Sequence, residues 1–153
     1  MGDISSHLSG VRCCGLNTCV FIYHLENHPL YAPLTKKILS GIEAGTWLGC
    51  TTVISLTELL VRPWQLGERV KAMEYEALLC SFPHLQVLDI DRQIARLAAR
   101  LRGEYQVRAP DALQVAGAII GRADMFITND KVLRRLDPLI PILLLSDYTD
   151  PAK

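Results

Sequence analysis

The feature that most constrains this chain is an alternation, sustained from end to end, of short apolar runs with longer amphipathic ones. Runs such as PILLL at 141–145 have no polar face, which suits strands buried on both sides of a parallel sheet. Parallel strands need long crossovers, and the intervening segments have the length and period of helices. The pattern predicts strands over 11–16, 47–53, 85–90, 125–128 and 142–145. Helices are expected over 18–26, 31–44, 55–61, 67–82, 92–105 and 110–121, with a short one from Asp130 to near Pro138.

Local signals set these boundaries. Asn27-His28-Pro29 breaks the first helix, because the residue before a proline avoids the helical region. In 31–44, Leu34, Ile38 and Ile42 recur at helical spacing among Lys36, Lys37 and Glu43, and Gly45 ends the run. Arg62-Pro63 is expected to stop the helix at 55–61, and Pro83 the one at 67–82. Asp91 can cap the helix at 92–105, and Pro110 suits a first helical turn. Residues 147–153 read as a tail. With no repeat or linker, the expectation is one α/β domain over 1–153: a parallel sheet of four to five strands with helices on both faces.

Composition narrows the function classes. The chain has 153 residues, half of them hydrophobic, enough for one domain with its own core. Sixteen Lys and Arg balance sixteen Asp and Glu. Neutrality argues against an avid general nucleic-acid binder, yet fits a nuclease whose acidic site offsets basic residues elsewhere. No apolar run is long enough to span a bilayer, and MGDISSHLSGVR does not read as a signal peptide, so a cytoplasmic location is expected, with no membrane partner. Cys13, Cys14, Cys19, Cys50 and Cys80 lack zinc-site spacing and are expected to be small buried hydrophobes. The histidines likewise show no ligand spacing.

Sites in folds of this class lie beyond the carboxyl ends of the strands. Four polar residues fall there: Asn17 after the first strand, Glu58 in the helix after the second, Asp111 opening a later helix, and Asp130 after the fourth strand. Each alone has an ordinary explanation in capping or in the helix dipole. Glu58 is the least ordinary. Leu56, Leu59, Leu60 and Val61 around it suggest a buried helix, in which a carboxylate needs a partner or a metal.

Taken together, Leu16-Asn17-Thr18, Leu56-Thr57-Glu58-Leu59-Leu60, Pro110-Asp111-Ala112-Leu113 and Thr128-Asn129-Asp130 resemble the motifs of PIN-domain ribonucleases. The likeness is greatest to the VapC-like toxins of bacterial toxin–antitoxin pairs, and runs from about Gly15 to about Tyr148. It implies an endoribonuclease using Mg2+ or Mn2+, with Asn17, Glu58, Asp111 and Asp130 as the catalytic and metal-holding set. Thr18, Thr128 and Asn129 would give supporting hydrogen bonds, and Arg62 and Arg108 would meet RNA. A homodimer and an antitoxin partner are also implied. The helix carrying Phe21, Ile22, Tyr23 and Leu25 reads as core or as interface.

One position departs from the pattern. The resemblance calls for aspartate at position 17, and the chain has asparagine. The exchange keeps the shape and removes the charge, so the expected enzyme is weakened or silenced there. The alternative reading is a non-catalytic PIN-like module that binds RNA or a protein. A phosphoacceptor signalling domain would use Asp89 or Asp91 at the end of the third strand, but it also needs an acidic pair near the first, which is missing.

Overall fold

The structure, a computed structural model, describes residues 3–149. Five strands form one wholly parallel sheet in the order β3-β2-β1-β4-β5. They are β1 (Cys13–Leu16), β2 (Leu48–Thr52), β3 (Leu85–Leu88), β4 (Met125–Thr128) and β5 (Ile142–Leu144). The helices are α1 (Ile4–Leu8), α2 (Thr18–Leu25), α3 (Ala32–Glu43), α4 (Val53–Gln65), α5 (Arg69–Ser81), α6 (Arg92–Tyr105) and α7 (Ala109–Ile120). Two 3-10 turns, Lys131–Leu136 and Leu145–Tyr148, flank β5.

The strands are apolar because both faces of the sheet are covered. Side chains alternate across a strand, so neighbours enter opposite cores. Leu16, Ile127 and Leu143 join α1 to α5 on one face, while Phe126, Ile142 and Leu144 join α6 and α7 on the other. Burial of each such side chain contributes about 1.5–3 kcal/mol. The chain builds β1, β2 and β3 outward in one direction, then returns to lay β4 on the free side of β1.

Beyond shifts of one or two residues at element ends, the structure departs from the sequence pattern at four places. α1 was not anticipated. It is short, but Ile4 and Leu8 lie one turn apart, both buried, and Asp3 accepts from Ser5 N to cap it. Trp47 is not part of β2. Its ring lies across α3, where Nε1 donates to the Ile38 carbonyl at 3.0 Å, and the absence of a side chain at Gly41 makes room for it.

The third difference is α4, which does not stop at Arg62-Pro63. Pro63 sits buried in the last turn, where it forgoes only one intrahelical hydrogen bond. The stop lies four residues on, at Gly67, whose φ is +69°. Gly67 N donates to the Trp64 carbonyl and Glu68 N to that of Pro63, a pairing that closes a helix through a left-handed residue. Gly67 therefore ends α4 and does not begin α5. Last, residues 147–149 are not a loose tail. Tyr148 packs on the core and against the His7 ring, and Asp147 pairs with Arg134. The remainder of the expected tail, 150–153, lies outside the described residues.

α7 approaches β2 closely because Gly117 has no side chain. A Cβ there would come within 2.3 Å of Thr52 Cγ2. Thr52 is fully buried with its hydroxyl engaged, so it cannot turn aside cheaply. Gly117→Ala should therefore destabilise the fold by about 1–3 kcal/mol, despite alanine's better helix propensity. Thermal unfolding should show Tm falling on the order of 5 °C. An unchanged or higher Tm would show that the contact relaxes without cost.

Candidate functional site

β1 and β4 are neighbours whose outgoing connections leave on opposite faces, which opens a crevice at their carboxyl ends. Asn17 follows β1 directly and caps α2, its Oδ1 accepting from Thr18 N at 2.8 Å. Asp130 follows β4, its Oδ1 accepting from Val132 N at 3.0 Å. Asp111, in the first turn of α7, is only 7% exposed. These three and Glu58 of α4 line one open cleft of about 450 Å3, shared with Thr18, Thr128, Asn129 and Arg108. Local capping and helix-start chemistry thus set Asn17, Asp111 and Asp130, Glu58 comes from inside α4, and the sheet order brings the four together.

Within the cleft Asn17 is fitted at both ends of its amide. Nδ2 donates to Thr128 Oγ1 at 2.8 Å, and that oxygen also accepts from Asp130 N at 3.2 Å. Arg108 Nε donates to Asp111 Oδ2 at 3.3 Å, but the arginine side chain is 76% exposed, so water screens the pair and it contributes under about 1 kcal/mol. Asn129 donates to Tyr23 Oη and accepts from Ser146 N, tying the turn after β4 to α2 and to the segment after β5. Arg62 lines a neighbouring cleft of about 540 Å3, which shares Glu58 and Ile22 with the first.

Glu58 corrects one expectation. α4 turns Ser55, Leu59 and Pro63 to the core, while Glu58 is exposed and Val61 is 47% exposed. The apolar flank of Glu58 is therefore partly surface. The carboxylate still has a specific partner, since Oε1 accepts from Thr18 Oγ1 at 2.7 Å. On α2, Phe21 belongs to the core, and Ile22, Tyr23 and Leu25 pack half-buried against it.

The sequence reading missed a buried polar cluster beneath Glu58. Gln114, on α7 one turn after Asp111, is 1% exposed, and it contacts Thr18, Thr51, Thr52 and Ser55. A readable signal existed: Thr51, Thr52 and Ser55 are hydroxyl residues inside an apolar strand and helix, and Gln114 shares a helix face with Asp111. Asp91 caps α6 through Ile94 N, as expected. Asp124 accepts from Arg12 N and Cys13 N at the opposite, amino end of the sheet, where a larger cleft of about 620 Å3 lies away from the candidate residues.

A family model, PIN domain, matches residues 16–139 and so spans all four motifs. The chain belongs to the PIN-domain family. Solved structures agree at the level of the fold. A chain of VapBC2 from Rickettsia felis, crystallised bound to a DNA fragment from their promoter, superposes with a TM-score of 0.69 at 18% identity, covering 90% of this chain and 99% of that one. A chain of FitAcB from Neisseria gonorrhoeae gives 0.64 at 18%, covering 88% and 98%. A chain of DNA-bound VapBC from Salmonella typhimurium gives 0.59 at 22%, covering 88% and 98%. No curated protein matches the chain.

This PIN domain's donor set is oxygen-rich: three carboxylates and one amide oxygen on a polar cleft. Among the described residues no three Asp, Glu, His or Cys side chains stand together as a ready metal-binding group. Glu58 and Asp111 each meet a neighbouring side chain, and Asp130 caps the turn after β4. Such a set fits a hard cation that keeps several of its waters and takes one or two direct carboxylates, which is the habit of Mg2+. It does not fit a closed cage.

Thiol chemistry is absent from this cleft at neutral pH. Cys19 lines it, but burial pushes its thiol up to about 12, and burial does the same to Cys14 and Cys50. The five cysteines are free, and only Cys14 and Cys50 are buried as expected; Cys13 and Cys19 are half-buried, and Cys80, on the outer side of α5, is exposed. A maleimide at pH 7 should therefore label Cys80 quickly and leave Cys14, Cys19 and Cys50 largely unlabelled until the chain unfolds. The raised thiols also set a pH limit. The folded chain keeps protons that the unfolded chain releases above 9.0, so their stabilisation is intact below pH 9 and is lost from there towards pH 12. Urea midpoints should fall across that window, and fall less in Cys19→Ala. A midpoint flat to pH 11 would contradict the assignment.

Proposed function

We propose that this PIN domain is a metal-dependent endoribonuclease of the toxin type, held at low activity by Asn17. The observation that carries the reading is the meeting of Asn17, Glu58, Asp111 and Asp130, from four separate parts of the chain, on one cleft at the carboxyl ends of β1 and β4. Asp111 and Asp130 would hold Mg2+ or Mn2+, directly or through water. Bound there, the cation would lower the pKa of a coordinated water and offset charge on the phosphate oxygens. Glu58, fixed by Thr18, would orient the attacking water. Arg108 beside Asp111 would meet the RNA phosphate, and Arg62 would extend that contact along the adjoining cleft.

Asn17 supplies an oxygen without a charge, so it ligates a hard cation more weakly than aspartate does. Its NH2 group turns to Thr128 and adds no donor electrons to the site. The fold itself loses nothing by the exchange, since Oδ1 still caps α2.

One solved structure of similar fold is a toxin–antitoxin complex from Klebsiella pneumoniae, which supports an antitoxin partner for this chain too. So does its surface. Val61, Trp64, Leu66, Val70 and Met73, at the junction of α4 and α5, are 47–69% exposed. Apolar exposure of this kind marks a surface that another protein covers. A homodimer or an antitoxin would serve.

Asn17→Asp should raise RNA cleavage with Mg2+ or Mn2+ on the order of 100-fold, since even an indirect metal contact is worth 10–100-fold. A chelator should abolish the gain, Glu58→Gln in the same chain should remove it, and expression should slow host growth. If the Asn17→Asp chain binds RNA yet cleaves none with either ion, the non-catalytic binding module is the correct reading.

A further inference from the structure

Gln114 is an uncompensated oddity on α7 unless its amide has work to do. Its neighbours Ala112, Val115, Ala116 and Ala118 are buried and apolar, and a buried amide costs free energy unless each of its polar atoms is bonded. Here each is, and the pattern has a direction.

The direction is set by a backbone group that cannot reverse. Thr52 N–H donates to Gln114 Oε1 at 3.3 Å, and Thr52 Oγ1 donates to the same oxygen at 2.7 Å. Turning the amide over would set its NH2 against the Thr52 N–H, donor to donor, so Oε1 must face β2. Nε2 then faces the other way, and its two protons go to Thr18 Oγ1 at 2.9 Å and Ser55 Oγ at 2.8 Å. Ser55 passes its proton to Thr51 Oγ1 at 2.7 Å, and Thr51 passes its own to the Leu16 carbonyl at 3.0 Å. Thr18 already accepts from Gln114, so two acceptors remain for its proton, the second lone pair of Ser55 Oγ at 3.1 Å and the Glu58 carboxylate. The carboxylate is the nearer acceptor and the charged one, so the Thr18 proton points out of the core to Glu58 Oε1, 2.7 Å away.

We propose that Gln114 is a positioning residue for Glu58. By donating to both Thr18 and Ser55 it takes an acceptor position on each and leaves the Thr18 proton to donate outward, and so holds an otherwise exposed carboxylate at one point on the wall of the cleft. The role assigned to Glu58 in orienting water rests on the nuclease reading, whereas the proton order itself does not. Gly117 is the structural condition for it, because only close packing of α7 on β2 lets the amide reach Thr52.

The test is nuclear magnetic resonance on the chain as it stands. Nuclear Overhauser contacts from the Gln114 side-chain protons should reach Thr18 and Ser55 and not the Thr52 N–H, and the reverse pattern overturns the proposal without any variant. The Glu58 side-chain couplings and its carboxyl carbon shift should report one rotamer. In Gln114→Met and in Thr18→Val the rotamer should average, while Thr18→Ser, which keeps the hydroxyl, should restore it. A Gln114 of purely structural role would leave Glu58 fixed in a folded Gln114→Met, and that result also overturns the proposal. In the Asn17→Asp chain, Gln114→Met should lower kcat about tenfold with KM within about twofold, and should cost nothing further once Glu58→Gln is present. Loss of kcat in Gln114→Met that persists in full in the Glu58→Gln background contradicts the positioning role. If the Asn17→Asp chain does not cleave RNA at all, the nuclease reading fails, and the rotamer of Glu58 still decides the role of Gln114.

Discussion

Everything at the cleft depends on the pairing of β1 with β4. Leu16 lies beside Ile127 in register, and Asn17 N donates to the Ile127 carbonyl at 3.0 Å, so the two strands end level with each other. That single alignment puts the first residue after β1 and the loop after β4 within reach, and the Asn17 to Thr128 hydrogen bond closes the gap. A slip of β4 by one residue would turn Ile127 out of one core and Phe126 out of the other. The two apolar cores therefore hold the polar site in register.

The other half of the cleft is brought in by α4 and α7, and it is held by hydroxyls and one amide more than by charge. Thr18, Thr51, Thr52, Ser55 and Gln114 form a satisfied buried network, with no orphaned buried side-chain polar atom among the described residues. Bonds of this kind stabilise little on balance but cost much if broken on one side, so they define geometry strongly. The carboxylates stand at the outer edge of this rigid floor. A floor built without charge leaves the acids above it with no competing buried ion.

Much of the fold was legible in the sequence because period and chain punctuation carried it. All five strands, the six longer helices and the parallel arrangement follow from apolar runs, helical spacing and caps such as Asp91 and Asp130. What escaped was tertiary in origin. α1 is too short for a periodic signal, Pro63 tolerates a helix end that only burial reveals, and Trp47 left its strand for a groove made by Gly41. At the site, Asn17, Asp111 and Asp130 were legible because each sits at an element boundary, and Glu58, inside α4, because a carboxylate stood among apolar neighbours. Gln114 was not singled out, since a lone amide on an apolar helix shows its worth only once its partners from β2, α2 and α4 are known. Glu58 was misjudged as buried because apolar neighbours in sequence do not fix which face of α4 meets the core.

The account centres on one claim: the cleft at the ends of β1 and β4 is a site for a hydrated divalent cation, weakened by an uncharged residue at position 17. Anomalous scattering from Mn2+ in crystals of the Asn17→Asp chain tests it most directly. A manganese peak bounded by position 17, Asp111 and Asp130, with markedly lower occupancy in the asparagine form at the same Mn2+ concentration, is the predicted result. Manganese bound elsewhere, or nowhere, with the cleft open and the fold intact, would contradict it.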